Sequence, residues 1–431
     1  MSRKKRFFWG LIYSIAALSG GSAALASGPL SIDTCYTRAR MNFPLIRQRT
    51  LTEKSRDYNI SNALRGYLPQ LSVNGQLTNQ SAVTSIPFSI PLPHGENLSF
   101  PVIPLTQYNV HAEVDQVIYD GGSILGQKEL AIAGANVQEQ NTEVQLYAIK
   151  DRINQLFFGI LLITEQLKLD AVNEKDIQNS IDKMKESVSQ GTALVSSLRE
   201  LEAKLLQQQQ TRIDLESNRK AYLDMLGLFI NSSLDESTVL QTPGTPVLND
   251  SIRRPELDLY NYQKKNDDVQ LKIINANNLP KLSFFLQGGY ALPGLNMFDV
   301  NAATYYMGGL RLNWTLGGLY TMKNQKQLLA VDKQSIDIQK ETFLFNTHQT
   351  LKQQNADISK LQLMVLKDTE IIVKLTEVKN SAKAQMENGI ITTHEYIAEL
   401  DLEDQAKQNL LIHQVQLMMD QYNQKNTTGN Y

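Results

Sequence analysis

The prolines of this 431-residue chain repeat at a fixed spacing. Pro44 and Pro255 lie 211 positions apart. The two Leu-Pro motifs, at Pro69 and Pro280, are separated by the same 211 positions. Two landmarks at one offset indicate an internal repeat, in which each copy is one structural unit. We therefore expect two copies of one unit rather than a set of unrelated domains.

The glycine landmarks that follow have a shorter spacing. Gly122 corresponds to Gly318 at an offset of 196, and the surrounding Gly-Gly motifs match. Gly191 corresponds to Gly389 at an offset of 198. The second copy thus lacks about fifteen residues between its Leu-Pro and Gly-Gly motifs. A change of length at this place is typical of a surface loop.

Long segments without proline follow these landmarks. No proline occurs from Thr106 to Thr242, and none from Gly294 to the C-terminus. Proline costs about 3 kcal/mol inside a helix, so its absence favours long helices. Helices over Gly122 to Gln190 and Leu319 to Asn388 would each be about 100 Å long at 1.5 Å per residue.

Gly191 and Gly389 are expected to reverse the chain, because glycine tolerates the left-handed conformation that such a turn requires. Return helices are expected over Ala193 to Leu228 and Ile391 to Gln424. Apolar residues in these helices follow steps of three and four: Ile177, Ile181, Met184, Val188; Leu194, Leu198, Leu201, Leu205; Leu411, Val415, Met418, Tyr422. This spacing predicts coiled-coil packing, which an antiparallel coiled coil without a channel would share.

The first 26 residues have the pattern of a secretory signal peptide. A basic segment is followed by an apolar run from Phe7 to Leu18 and by the small-x-small sequence Ala24-Leu25-Ala26. Beyond it, the longest apolar run is Leu156 to Ile163, far below the roughly 18 residues of a membrane helix. Cys35 lies at an apolar-periodic helix start without a lipidation motif, so we expect it in the core.

Four segments are predicted to be strands. Leu71 to Thr78, Val110 to Asp115 and Leu310 to Thr315 alternate apolar and polar residues, and Leu282 to Tyr290 is rich in aromatics. A sheet of a soluble protein would show the same alternation. Export, strand length and aromatic residues near the strand ends favour a membrane barrel. Those aromatics are Tyr119, Tyr305, Tyr306 and Trp314.

Four strands cannot close a membrane barrel, which needs at least about eight. Open strand edges are not viable in lipid, so several chains must share one barrel. Three chains would give twelve strands and two would give eight. The polar faces would line the lumen, with Glu113, Asp115 and Arg311 as its charged residues. Ser81 to Pro104 is expected to be the long outer loop, and Ala291 to Ala302 its shorter counterpart.

From Leu30 to Gly429 the sequence resembles the TolC-like outer membrane efflux proteins, or outer membrane factors. The resemblance rests on Pro44, Arg254-Pro255-Glu256-Leu257, the two Leu-Pro motifs, Tyr119-Asp120-Gly121-Gly122, Glu387 to Thr392, and Thr427-Thr428-Gly429. It implies a mainly α fold with membrane β-structure. Long antiparallel helices would form a trimeric α-barrel, and four strands per chain would contribute to a shared 12-stranded β-barrel.

The resemblance also implies an organisation and partners. The expected segments are a signal peptide (1–26), a first repeat (27–230), an equatorial linker (231–253) and a second repeat (254–431). The homotrimer would lie in the outer membrane, in contact with its lipid, and extend into the periplasm. There it would join a periplasmic adaptor and an inner-membrane transporter to export substrates, with multidrug or toxic-compound efflux favoured and a type I protein secretion duct as the alternative.

Family members narrow the helical end of the channel with acidic and polar side chains after the second turn glycine. Carried over to this sequence, the first acid falls on Glu395. The second position is Ala398, with Glu399 beside it, and the equivalent of Glu395 in the first copy is Ser197. The resemblance therefore implies a constriction with reduced or shifted acidity. Adaptor contacts are expected at the exposed turns, Gln190, Gly191, Thr192, Asn388, Gly389 and Ile390.

Other classes of function fit the sequence less well. His394-Glu395 begins a zinc-protease-like pattern, but Ala398 stands where the second histidine is needed. Five scattered histidines and one cysteine predict no metal cluster, and we expect no catalytic residues and no cofactor. A net charge of -2 indicates no nucleic-acid partner. A non-conducting structural coiled coil anchored by strands remains an alternative.

Overall fold

The computed structural model describes residues 29–85, 90–91, 93, 97–98 and 101–430. The expected signal peptide and part of the expected outer loop, Ser81 to Pro104, lie outside these residues. The described chain is mainly helical, with one four-stranded antiparallel sheet and a separate two-stranded one. None of its helices is both long enough and apolar enough to cross a membrane.

The same order of elements occurs twice along the chain. The first set is α1 (Ile32–Asn42), α2 (Arg47–Leu64), β1 (Gln70–Asn79), β2 (Ile90–Pro91), β3 (Asn97–Leu98), β4 (Thr106–Tyr119), α3 (Ser123–Tyr147), α4 (Ile149–Ser189) and α5 (Val195–Ile230). The second is α6 (Pro255–Asn277), β5 (Lys281–Leu292), β6 (Ala303–Asn313), α7 (Gly318–Glu387) and α8 (Thr393–Thr428). Helix, two strands, long helix and return helix thus follow one another in both.

The proline and glycine landmarks occupy matching places in the two sets. Pro69 and Pro280 each directly precede a strand, and Pro255 is the first residue of α6, where a missing N–H costs no hydrogen bond. The long helices differ. The 70-residue α7 is continuous and about 105 Å long, whereas Ala148 separates α3 from α4. Ala148 keeps helical backbone angles, so this interruption is local.

The main sheet has the strand order β1-β4-β5-β6, which joins the two hairpins edge to edge. Its register aligns Leu71, Val114, Leu286 and Gly308 in one row, and Ser72, Glu113, Gln287 and Met307 in the next. Because paired residues share a face, one face is mainly apolar and the other mainly polar. On the apolar face Leu71, Val73 and Leu77 are more than 70% exposed in the single chain. β1 and β6 form the two edges of this sheet.

Two apolar cores hold the helices together. The larger one joins α1, α4, α5 and α8 around Phe157 and Phe158, and it includes Cys35, which is buried as expected. The second lies beside the helix turns and joins α4, α5, α7 and α8 around Ile181, Leu201 and Tyr396. Most of the predicted coiled-coil residues are buried or half-buried. Leu194 is an exception, since it is the residue before α5 and is 71% exposed.

The Gly-Gly turn before α3 generates a testable prediction with a matched control. Gly121 and Gly122 both have positive φ, 73° and 86°. A Cβ on Gly121 would lie 2.6 Å from the Ala276 carbonyl oxygen, whereas one on Gly122 would meet nothing within 4 Å. We expect Gly122→Ala to cost about 1 kcal/mol of backbone strain and Gly121→Ala about 3 kcal/mol because of the added overlap. Thermal unfolding of the two variants would measure this difference, and equal losses would contradict it.

Candidate functional site

The three charged residues predicted for the lumen form one cluster on the polar face of the sheet. Arg311 Nη1 lies 2.7 Å from Glu113 Oε1 and 3.2 Å from Asp115 Oδ2. Ser283, on the strand between them, donates a hydrogen bond to Asp115 Oδ2 at 3.1 Å. The guanidinium carbon of Arg311 lies 4.5 Å from the centre of the Phe285 ring, within cation–π range. The sheet register thus brings together residues from three strands.

A second polar group lies on the same face and was not predicted. Gln287 donates a hydrogen bond to the Tyr305 hydroxyl at 2.8 Å, and that hydroxyl donates to Asn109 Oδ1 at 2.9 Å. Tyr305 was expected among the aromatics near the membrane boundary, and this prediction is wrong. The register pairs it with Gly289 on the polar face, whereas Tyr306 is on the apolar face and 82% exposed. Strand alternation could have separated the two tyrosines, because adjacent side chains point to opposite faces.

The apolar face continues across all four strands. Beside the β1 residues, its exposed members include Val110, Phe284, Leu286, Tyr290, Leu310 and Leu312. Tyr108 and Tyr290 pack there with ring centres 6.1 Å apart. A soluble monomer does not usually leave an apolar surface of this extent exposed, so this face needs a covering partner or lipid.

The two helix turns have the same geometry. Gly191 and Gly389 have φ of 72° and 71°. The residue after each glycine donates a backbone hydrogen bond of 2.9 Å to the chain five residues earlier, Thr192 to Ser187 and Ile390 to Gln385. All six residues expected to contact an adaptor are exposed: Gln190, Gly191, Thr192, Asn388, Gly389 and Ile390. A solvent-exposed ion pair of 2.8 Å between Lys183 and Glu387 joins α4 to α7 just before the two turns.

Glu395 caps the helix that begins at the second turn. Its carboxylate accepts hydrogen bonds from the Thr392 N–H at 2.7 Å and from the Thr392 hydroxyl at 3.0 Å. The Glu395 N–H donates to that hydroxyl, which completes a capping box. The hydrogen bond from the Thr392 backbone lowers the pKa of Glu395.

The first turn lacks this cap. Leu194 stands at the position of Thr392 and Ser197 at that of Glu395, and α5 begins without a side-chain cap. Glu399 is half-buried one turn after Glu395. Among the described residues, no hydrogen bond or ion pair joins Glu395, Glu399 and Ser197 within one chain. The expected constriction residues therefore lie near the helix turns, without a hydrogen bond or ion pair among them in the described chain.

A buried ion network near the turns was missed in the sequence. Glu403 on α8 is 2% exposed and lies 3.0 Å from Lys379 on α7. Lys407 is 2.9 Å from Glu403, and Thr376 donates a hydrogen bond to Glu403 at 2.7 Å. Lys379 also lies 3.4 Å from Asp176 on α4. The network joins a helix of the first repeat to two helices of the second.

The pKa shifts in this network favour its charged form. Burial alone would raise the pKa of Glu403, but hydrogen bonds from Thr376, Lys407 and Lys379 lower it overall. Burial alone would lower the pKa of Lys379, but Glu403 and Asp176 raise it overall. No pattern in the sequence marks these residues, because lysine and glutamate on a long helix usually form a solvated face.

Three solved structures have a similar architecture. No family model matches the sequence, and no curated protein matches it. CusC, described in a study of folding and transmembrane channel formation, aligns with a TM-score of 0.67 at 12% identity, over 92% of this chain and 91% of that chain. The outer membrane protein VceC of Vibrio cholerae aligns with a TM-score of 0.63 at 12% identity, over 92% and 96%. The Neisseria gonorrhoeae outer membrane channel MtrE, in its open state, gives 0.62 at 14%, over 92% and 88%.

The chain has the fold of an outer membrane channel. The likeness covers nearly all described elements, the sheet and the long helices together, so it confirms the resemblance predicted from the sequence at the level of fold. In this channel fold the polar sheet face and the two helix turns lie at opposite ends of the long helices. The predicted lumen and turn residues are accordingly far apart in the chain's architecture.

Glu403→Gln tests the buried network. This change leaves Lys379 with Asp176 as its nearby acid, and we expect a loss of about 3 kcal/mol, as for other broken buried ion pairs. Since the folded state lowers the pKa of Glu403, its stabilisation is present above the ordinary value of 4.5 and is lost as the pH falls through the folded-state pKa. Thermal unfolding measured from neutral to acidic pH should show the wild-type advantage shrinking below pH 4.5.

Glu377→Gln is the matched control on α7. Glu377 pairs with Lys374 at 3.4 Å, and both side chains are largely exposed. Exposed pairs contribute little, so we expect nearly unchanged unfolding. An equal effect of the two substitutions would contradict the role assigned to the buried network.

Proposed function

We propose that this protein is an outer membrane export channel that works as a homotrimer. Three copies of the four-stranded sheet would close a twelve-stranded barrel in the membrane, with the apolar face toward lipid and the polar face toward a water-filled lumen. The long helices would continue the conduit across the periplasm. An inner-membrane transporter would deliver substrate to it through a periplasmic adaptor.

One observation carries this proposal: the sheet has one exposed apolar face, one polar face and two open edges. In hydrocarbon every unpaired backbone N–H and C=O costs several kcal/mol, so the edges β1 and β6 must be paired. In water the apolar face would favour association or aggregation. A closed barrel of several copies satisfies both requirements, whereas a single chain satisfies neither.

Exposed apolar stripes on the helices support assembly of the copies. Val331, Ile338 and Phe345 on α7 are seven residues apart and each more than half exposed. Leu51 and Tyr58 on α2 are spaced in the same way, as are Leu206 and Ile213 on α5. A spacing of seven gives a narrow seam for packing against another helix. These seams lie on α2, α5 and α7, where neighbouring copies would pack.

The turns support docking to an adaptor. They are exposed, share one backbone geometry, and lie at the end of an α-helix about 105 Å long. We propose Gln190, Gly191, Thr192, Asn388, Gly389 and Ile390 as contact residues, and Glu395, Glu399 and Ser197 as the lining of a constriction nearby. In a trimer these residues would be repeated around the axis.

Export of toxic small compounds is the role we favour. A lumen lined by general polar groups does not itself select a substrate, so the transporter behind it would do so. Export of proteins by a type I system would use the same conduit. A structural coiled coil anchored by strands is the alternative from another class, and it would not conduct ions.

Conductance in a planar lipid bilayer tests the proposal. The purified protein should form trimers, seen as hollow particles about 140 Å long from the helix rise and the strand layer, and these should conduct ions. Ile338→Asp should give folded monomers without conductance, since it places a charge in the α7 seam. Val247→Asp, at an exposed position in the linker, should leave the trimers and their conductance unchanged. Trimers that never conduct, even with the turns loosened, would favour the structural alternative.

Glu395→Gln separates the charge of the constriction from helix capping. Glutamine can take the place of glutamate in a capping box, so the turn should keep its structure. If three Glu395 carboxylates line a narrow passage, their removal should lower the preference for cations over anions, measured from reversal potentials across a salt gradient. Ser197→Ala, at the equivalent position of the first repeat, should not change the preference. Identical reversal potentials for Glu395→Gln and wild type would assign Glu395 to capping alone.

A further inference from the structure

A groove of about 390 Å³, open to solvent, lies between α3, α6 and α7, away from the sheet and from the helix turns. Its polar lining comes from two helices of the second repeat: Gln263, Asn266 and Asp267 on α6, and Asp332, Ser335 and Gln339 on α7. Carboxylate, amide and hydroxyl oxygens therefore converge on one space. None of these residues belongs to the conduit sites described above.

Two of these side chains carry buried oxygens without a partner. Asp267 is 8% exposed, and its Oδ2 atom has no hydrogen-bond partner among the described residues. Gln263 Oε1, about one helical turn earlier, is buried and unpartnered as well. A buried carboxylate is costly unless it is paired or binds a cation. A buried oxygen without a hydrogen bond therefore indicates a partner, such as an ion or a water molecule, that is not part of the chain.

The surroundings of Asp267 disfavour its charged form overall. Burial, and then the negative charge of Asp332, raise the pKa of Asp267, and the positive charge of Lys333 opposes them only in part. Lys333 forms an ion pair with the exposed Asp268. Lys264, on the same helix, pairs with Asp337. Both lysines thus have carboxylate partners of their own.

The first repeat provides an internal comparison. At the offset of 211, Asp267 corresponds to Arg56 and Gln263 to Thr52. Arg56 and Thr52 line the equivalent groove between α2 and α3, and Arg56 pairs with Asp57 at 2.9 Å. At this position the first repeat therefore has a positively charged side chain, Arg56, whereas the second repeat has an acid with an unpartnered oxygen, Asp267.

We propose that Asp267, Asp332 and Gln263 bind a hard divalent cation, Ca²⁺, between α6 and α7. Calcium takes carboxylate and amide oxygens in flexible geometry and keeps waters for its remaining positions, which suits two acids and an amide. Asn266 and Gln339 supply further amide oxygens in the same groove. The ion would neutralise the two acids and fasten α6 to α7. This inference does not depend on the proposed export function.

Calorimetric titration of the purified full-length protein tests the site. After treatment with EDTA, the protein is titrated with CaCl₂ and, separately, with MgCl₂. We expect one Ca²⁺ per chain and weaker Mg²⁺ binding, because Mg²⁺ demands stricter octahedral geometry. Asp267→Asn should weaken Ca²⁺ binding by more than about tenfold, since even residues that only support a metal ligand change affinity by that much. Glu341→Gln, which changes an exposed acid of α7 outside the lining of this space, should bind Ca²⁺ like the wild type.

Thermal unfolding gives a second readout that does not require comparison of affinities. Ca²⁺ should raise the unfolding temperature of the wild type and of Glu341→Gln, and should not raise that of Asp267→Asn. In EDTA, Asp267→Asn should be at least as stable as the wild type, because it removes a buried, unpaired acid. Absence of Ca²⁺ binding at millimolar concentration, or equal binding by wild type and Asp267→Asn, would overturn the proposal. Stabilisation by falling pH alone, without any Ca²⁺ effect, would show Asp267 to be a protonated acid and overturn it equally.

Discussion

The backbone groups along β1 and β6 constrain the whole molecule. Their outward N–H and C=O groups have no partner in the sheet of one chain, and lipid offers none. A pair of hairpins with one apolar face can therefore be stable in a membrane only when other copies complete the barrel. Each hairpin continues into a long helix through a Gly-Gly turn, β4 into α3 and β6 into α7. The number of strands in the barrel thus fixes the number of helices below it.

Buried ion pairs and apolar seams contribute in different ways to the helical part. Surface pairs one turn apart, such as Lys374 with Glu377, are exposed and contribute little to stability. Glu403 and Lys379 are buried, so their gain in attraction is opposed by the loss of hydration. A one-turn slip of α7 against α8 would separate Lys379 from Glu403 and leave Glu403 with Lys407 of its own helix, so this pair favours the observed register. The apolar cores around Phe157 and Tyr396 supply most of the stabilisation.

The repeat, the strands and the turns could be predicted because each depends on local chemistry. The spacing of prolines and glycines between the two repeats predicts where helices and strands begin and end. The alternation of apolar and polar residues from Leu71 to Thr78 predicts a strand with two different faces, and these residues lie within β1. The cluster of Glu113, Asp115 and Arg311 follows from alternation as well. The ion network of Glu403 could not be predicted, since it requires the relative rotation of three helices that are distant in sequence. For Tyr305, nearness to the strand end is not enough, because strand alternation decides which face of the sheet a side chain lies on.

The two repeats have kept one architecture while their polar positions have diverged. At the sheet end, Asp120 accepts hydrogen bonds from the Gly122 and Ile124 N–H groups at the start of α3, whereas the second repeat has Leu316 in its place. At the turns it is the second repeat that has the cap, because Thr392 and Glu395 cap α8. The first repeat has Leu194 and Ser197 at these positions, and α5 begins without a side-chain cap. Each repeat therefore stabilises a different end of its helical hairpin.

Three copies of this chain would place six helix turns around the axis, and turns of the first repeat would alternate with turns of the second. Only the second repeat has an acid at this position, Glu395, whereas the first has Ser197. A ring of acids at the turns would therefore contain three members instead of six. A ring of three leaves wider gaps between the charges than a ring of six, so mutual repulsion raises the pKa of each carboxylate less.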